Sequence, residues 1–254
     1  MDILDLFLWF VIYSFIGWAY ESVLFTIQEK HFVNRGFLNG PLCPIYGFGA
    51  ILNLLIFEHT TNVFVLFFLA AVLTTTLEYL TAVVLEKVFN AKWWDYSEFP
   101  LNFQGRIGVI STVVFGLMSV VQIKYGHPFI SGLTDRLPDN FKIAFSFVIL
   151  MLILFDFAFT VRHVLLLNGR LSEIQTAINA FFEKYSRRAG EFKNTLLVNF
   201  EGSEFYSDRI RTLFNLDRLQ NLRLFKAFPK LQSLKYDGAL RKLRDRLLGA
   251  RKKP

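Results

Sequence analysis

The run FKIAFSFVILMLILFDFAFTVRHVLLL, residues 141–167, decides the fold class. No charged residue separates Lys142 from Asp156, and about 20 predominantly apolar residues suffice to cross a bilayer. Working outward, Ile3–Ile27, Val63–Val88 and Ile107–Ile123 are three more stretches of this kind, and Pro44–Phe57 is a shorter one. The 254-residue chain is 53% hydrophobic and 19% charged, with 30 Phe. A soluble domain is about 45–50% apolar and about 25% charged. Composition therefore excludes a disordered chain, a disulfide-stapled miniprotein and a soluble globule. A single cysteine, Cys43, excludes an intrachain disulfide and a Cys-rich metal centre. The reading is all-α: a polytopic membrane bundle of about five spans.

The second apolar stretch is entered through Gly36, Gly40, Pro41, Pro44, Gly47 and Gly49. Such text predicts a re-entrant-like loop dipping into the membrane, which is tolerated only where protein or a wet cavity satisfies its backbone. The start, Met-Asp-Ile-Leu-Asp, lacks a basic segment and a small-residue cleavage site, so it reads as the beginning of a span rather than a removable signal. The expected division is a transmembrane domain, 1–167, with the fifth span at 141–167, followed by a tail, 168–254.

Charge sets the orientation. From Arg162 onward there are 20 Lys+Arg against 9 Asp+Glu, a net of +11, whereas the first 161 residues carry −4. Basic residues favour the cytoplasmic side, which predicts a cell-membrane protein with its N-terminus outside and its C-terminus inside. Lys30 and Arg35 then lie inside, as do Lys92 and Arg106; the connection Lys124–Lys142 lies outside. The basic tail fits an anionic leaflet better than nucleic acid. Its amphipathic segments, Arg170–Arg188, Phe205–Phe228 and Leu231–Leu248, are consistent with helices lying on the membrane or packing on one another as a cap. Gly190, Gly202 and Pro229 punctuate them.

An offset of 57 residues aligns Glu21 with Glu78, Glu29 with Glu86, Lys30 with Lys87, Phe32 with Phe89, and Arg35 with Lys92. Residues 9–57 and 66–114 would then form a parallel internal repeat, unless the match is coincidence.

Acids within spans are costly and usually face a bundle interior. At 1.5 Å per residue, Glu21 lies about 27 Å from the start of its span, and Glu78 and Asp156 about 22 Å from theirs. Glu86 lies further along, near the boundary. Three helices thus bring carboxylates to the cytoplasmic half, beneath loops carrying Arg35, Asn39, Tyr46, Trp94, Asp95, Asn102, Gln104 and Arg106. These twelve residues are the candidates for substrate binding or gating. Equally open is a structural role, as buried pairs of Glu21 and Glu78 with Arg35 and Arg106. No P-loop, His-Glu-x-x-His or Gly-x-Ser-x-Gly motif is present. His31, His59, His127 and His163 have no ligand spacing, so neither a metal nor another cofactor is expected.

Gly17-Trp18 with Glu21, Asn34-Arg35-Gly36, the Gly-Pro-x-x-Pro-x-Tyr-Gly run from Gly40 to Gly47, Leu77-Glu78-Tyr79, Trp94-Asp95-Tyr96-Ser97 and Asn102-Phe103-Gln104-Gly105-Arg106-Ile107 form a distinctive set. Through them, over roughly residues 9–165, the chain resembles a family of bacterial multi-pass proteins described as type IV ABC-transporter permeases (CmpB-like). The resemblance implies a transport subunit working with a separate ATPase and with a second copy of itself. The residues also admit an intramembrane enzyme acting on a lipid or isoprenoid phosphate. In that reading Arg35, Lys92 and Arg106 hold phosphate and Glu21 or Asp95 acts as base. A membrane scaffold whose tail recruits a partner is the third reading.

Overall fold

A computed structural model describes residues 2–186, 200, 203 and 205–249. Helix α1 (Ile3–Glu29) packs along α2 (Pro44–Phe57), and α3 (Val63–Phe89) packs along α4 (Val109–Val121). Four helical segments, Ile3–Glu29, Val63–Phe89, Val109–Thr134 and Asp139–Lys184, are long and apolar enough to cross a membrane, and α2 is a shorter apolar helix. Both 27-residue helices end on a residue in the left-handed region, Lys30 (φ 54°) and Asn90 (φ 49°). At these two points the chain turns back toward the next helix.

The second helix sits close to the first because Gly17 has no side chain. A Cβ at this position would collide with the Tyr46 ring. Gly36 turns the connecting loop at φ 111°, where an L side chain would be strained and would press on Cys43 Sγ at 2.8 Å. Val33, Leu38 and Cys43 are buried, so the loop is tucked into the end of the bundle.

The expected connection Lys124–Lys142 is largely helical. The fourth helix passes through a π-turn, Gln122–Gly126, into α5 (His127–Thr134), leaving only residues 135–138 outside helix. Pro128 lacks an amide and crowds the preceding turn, and a π-turn accommodates that locally. At this end of the bundle, Asp5 Oδ1 and Lys142 Nζ pair at 2.7 Å, and Trp9 Nε1 donates to Thr134 Oγ1 at 3.0 Å.

Helix α6 (Asp139–Ser186) has 48 residues and runs straight through position 167. At 1.5 Å per residue it extends about 72 Å, more than twice the hydrocarbon thickness of about 30 Å. The first expected tail helix is therefore the continuation of the fifth span. The second is divided into α7 (Asp208–Asn215) and α8 (Arg218–Ala227), with Asp217 at φ 48° between them; α9 (Asp237–Gly249) follows. The glycines expected to punctuate the tail, Gly190 and Gly202, lie outside the described residues.

Among the described residues the tail helices pack on α6 and on one another. Ile174, Phe200, Phe214, Phe225 and Leu243 are at most 1% exposed. Burying a side chain of this size contributes about 1.5–3 kcal/mol, which favours the packed cap over a membrane-surface arrangement. The cap also joins the membrane part: strand β1 (Ala91–Lys92) pairs with β4 (Gln232–Ser233), while β2 (Asn102–Phe103) and β3 (Ile107–Gly108) close the second loop. Trp93 packs edge-on against Phe228 with ring centroids 4.9 Å apart.

Candidate functional site

Eleven of the twelve sequence candidates fall into three clusters, and Glu78 is the exception. In the first, Arg35 Nε meets Glu21 Oε2 at 3.0 Å, and Tyr46 Oη donates to Glu21 Oε1 at 2.7 Å. Both carboxylate oxygens are thereby occupied. The Arg35 guanidinium lies 3.7 Å from the Phe25 ring centre and 5.1 Å from that of Phe228, a cap residue. Stacking on aromatic faces suits a delocalised guanidinium.

Arg106 grips Glu86 in the second cluster. Its Nε lies 3.1 Å and its Nη2 2.7 Å from Glu86 Oε2, and Nη1 donates to Gln104. Tyr79 Oη also donates to Gln104 Oε1 at 3.0 Å. Trp94 Nε1 donates to the Arg106 carbonyl at 2.9 Å, and Asn102 closes its own turn by accepting from the Gly105 amide. Asp95 accepts from Lys92 Nζ at 2.9 Å and from the Ser97 amide and hydroxyl. Burial opposes its charge, but the Ser97 and Lys92 hydrogen bonds outweigh burial and hold the carboxyl down at about 2.

The third cluster anchors the first loop. Asp156 accepts from the Asn39 amide at 3.1 Å, Asn39 Nδ2 at 2.9 Å and the Gly40 amide at 2.7 Å. Arg223 was not legible as a site residue, since it is one basic residue among many in the tail. Its Nη1 donates to the Leu38 carbonyl at 2.7 Å and to Gly36, and its Nη2 donates to Phe37 at 3.1 Å.

Glu78 stands apart from these clusters and is only 5% exposed. Tyr96 Oη donates to its Oε1 at 3.2 Å, while Oε2 has no hydrogen-bond partner. Burial first, and then the Glu78 carboxylate, push the Tyr96 phenol up, so it remains a donor. The expected pair of Glu21 with Arg35 forms, but Arg106 pairs with Glu86 instead of Glu78, which receives no arginine. The reason is local: Arg106 meets Glu86, about two turns beyond Glu78 on the same helix, and Arg35 is held by Glu21 on α1.

Glu78 lines a cleft of about 460 Å³ between α1, α2, α3 and α4. Its lining also includes Tyr46, Thr74, Asn53, Ser119 and Gln122. Asn53 Nδ2 donates to Ser119 Oγ at 2.8 Å and Gln122 Nε2 to the Ala50 carbonyl at 3.0 Å, while Asn53 Oδ1 is buried without a hydrogen-bond partner. Ile16 and Tyr20 on one flank, and Leu117 and Val121 on the other, are exposed. The mouth therefore lies between α1 and α4, within the apolar belt. Sequence reasoning missed Tyr96, Asn53 and Gln122. A polar residue inside an apolar run was the available signal for the last two.

Arg35, Lys92 and Arg106 each hold a carboxylate, those of Glu21, Asp95 and Glu86, at 3.0, 2.9 and 2.7 Å. Arg35 keeps Nη1 buried without a hydrogen-bond partner. No cluster of three or more His, Cys, Asp or Glu suited to a metal occurs among the described residues. Neither a curated protein nor a solved structure matches the chain. A family model matches residues 8–161, which span the bundle from α1 through most of the membrane part of α6, and the chain belongs to that family, Putative ABC-transporter type IV.

Proposed function

We propose that the chain is the membrane subunit of a bacterial transporter, a permease of the cell membrane whose substrate enters the cleft between α1 and α4. One observation carries this reading. Tyr46 lines the cleft and donates to Glu21, Glu21 pairs with Arg35, and Arg35 stacks on Phe228 of the cap. A force applied to the cap would thus reach the cleft wall through three adjoining side chains. The chain carries no P-loop, so the force would come from a separate ATPase docked on the cap, with the C-terminus inside and the N-terminus outside. A second copy would complete the assembly. The same reading treats residues 9–57 and 66–114 as duplicated units, supported by the equal length and left-handed ends of α1 and α3.

The experiment is a spin-label distance across the mouth, with Ile16→Cys and Leu117→Cys labelled in native membranes. ATP with vanadate should shift the distance, and Phe228→Ala should abolish the shift while leaving the resting distance unchanged. A distance indifferent to nucleotide in membranes from the native host would overturn the transport reading.

A further inference from the structure

Three properties of the cleft specify its occupant. Its mouth opens between exposed apolar residues of α1 and α4, where a molecule dissolved in the bilayer can enter. Its volume, about 460 Å³, lies within the range of about 300–1,000 Å³ typical of small-ligand sites. The third property is Glu78. This side chain is 5% exposed, and its Oε2 accepts no hydrogen bond. The neighbouring Ser111 hydroxyl donates to the Gly108 carbonyl at 2.8 Å. Tyr96 serves only Oε1.

Buried polar atoms in folded proteins almost always have partners, and leaving a carboxylate oxygen without one is costly. No Lys, Arg or His lines the cleft, and the charge of Arg35 is matched by Glu21. An anionic head placed at Glu78 would face a second acid with no cation in the lining to offset it. A plain hydrocarbon would leave Oε2 as it is. A primary ammonium brings three donors and a positive charge, and Tyr20 and Tyr46 in the same lining offer aromatic rings, which attract cations.

We propose that the cleft binds an amphiphile with a primary ammonium head, the head on Glu78 Oε2 and the chain running toward the mouth between α1 and α4. This rests on the transport reading only in making such amines the substrate class; the site itself stands on its geometry.

The test uses the full-length chain in phosphatidylcholine nanodiscs, whose headgroups have no N–H donors. Tetradecylamine, tetradecanol and tetradecanoate are titrated against thermal unfolding. The amine should stabilise saturably, with the tetradecanoate at least about ten-fold weaker, the scale of one lost charge-assisted hydrogen bond. Glu78→Gln should weaken the amine by a similar factor and leave the alcohol unchanged. Gly49→Leu should weaken both, because a Cβ at Gly49 meets only Leu77 at 3.6 Å and Thr74 at 3.8 Å, which leaves the added side chain room to project into the cleft.

Equal binding of amine and tetradecanoate by the wild type, or an amine affinity unchanged in Glu78→Gln, would overturn the proposal. Should Glu78→Gln fail to fold, the wild-type preference and Gly49→Leu decide it. Amine selectivity without nucleotide-driven movement of the mouth would sink the transport reading and leave the site standing. Movement without amine selectivity would do the reverse.

Discussion

Asp156 and Arg223 hold opposite polarities of the same short loop. The carboxylate of Asp156, on α6, collects the amides of Asn39 and Gly40, and the guanidinium of Arg223, on α8, collects the carbonyls of Gly36, Phe37 and Leu38. Burial works against the charge on Arg223, and Asp156 works for it. Together they hold a glycine-turned loop that no helix or sheet ladder supports. The loop carries Arg35, so both residues set the position of the guanidinium that meets Glu21.

The first prediction concerns this clamp. Arg223→Met keeps the apolar stem but abandons three carbonyls. It should lower stability by at least about 3 kcal/mol, the worth of two charged hydrogen bonds. Asp156→Asn, which retains an acceptor, should cost less than Asp156→Ala. Thermal unfolding of the purified chain measures all three, and an Arg223→Met variant as stable as the wild type would refute the clamp.

For Glu86 and Arg106 the expectation is a coupling. Removing either partner breaks a forked contact between side chains only 12% and 23% exposed. A double-mutant cycle of Glu86→Gln and Arg106→Gln should return about 1–3 kcal/mol. Arg106→Lys should recover little of it, since an ammonium cannot reproduce the fork.

Asp95 predicts a pH dependence. Its carboxyl is held at about 2, below the usual 3.8, so the folded state favours the ionised form. That contribution is fully present above about pH 4 and disappears as the pH falls toward 2. Melting temperature measured from pH 6 to pH 2 should decline through that window in the wild type. In Asp95→Asn this part of the decline should be missing, from a lower starting stability.

Cys43 should not react in the folded protein. The thiol is 6% exposed, and burial, followed by the Glu21 charge, pushes it up to about 12. Only the thiolate is nucleophilic. Orientation can therefore be read in the native background. Thr61→Cys should react with an impermeant maleimide added to intact cells, and Leu101→Cys, at a position 79% exposed in the second loop, only after permeabilisation. The opposite pattern would invert the topology.

The membrane helices were legible because an apolar run of span length has few other uses in a chain of this composition. The arginine pairs were partly legible. Arg35 found Glu21 and Arg106 found Glu86, since each loop folds back over its own hairpin and an ion pair closes it. Glu78 was legible as an intramembrane acid but not as the one left with an unpartnered oxygen. That depends on which way α3 is rotated and on where the two loops end.

Arg223 shows the limit most plainly. It lies 67 residues beyond Asp156 in the sequence, within a tail whose composition reads equally well as a membrane-surface segment or a cap. Amphipathic helices specify that one face must be buried, not what buries it. The sequence by itself determined an all-α membrane bundle and its apolar helices, because hydropathy is a local property. Only the tertiary structure decided that the tail caps both loops, that Asp156 is an anchor, and that Glu78 alone of the candidate acids faces the cleft with an unfilled oxygen. Those depend on contacts between segments far apart in the chain, and no local pattern encodes them.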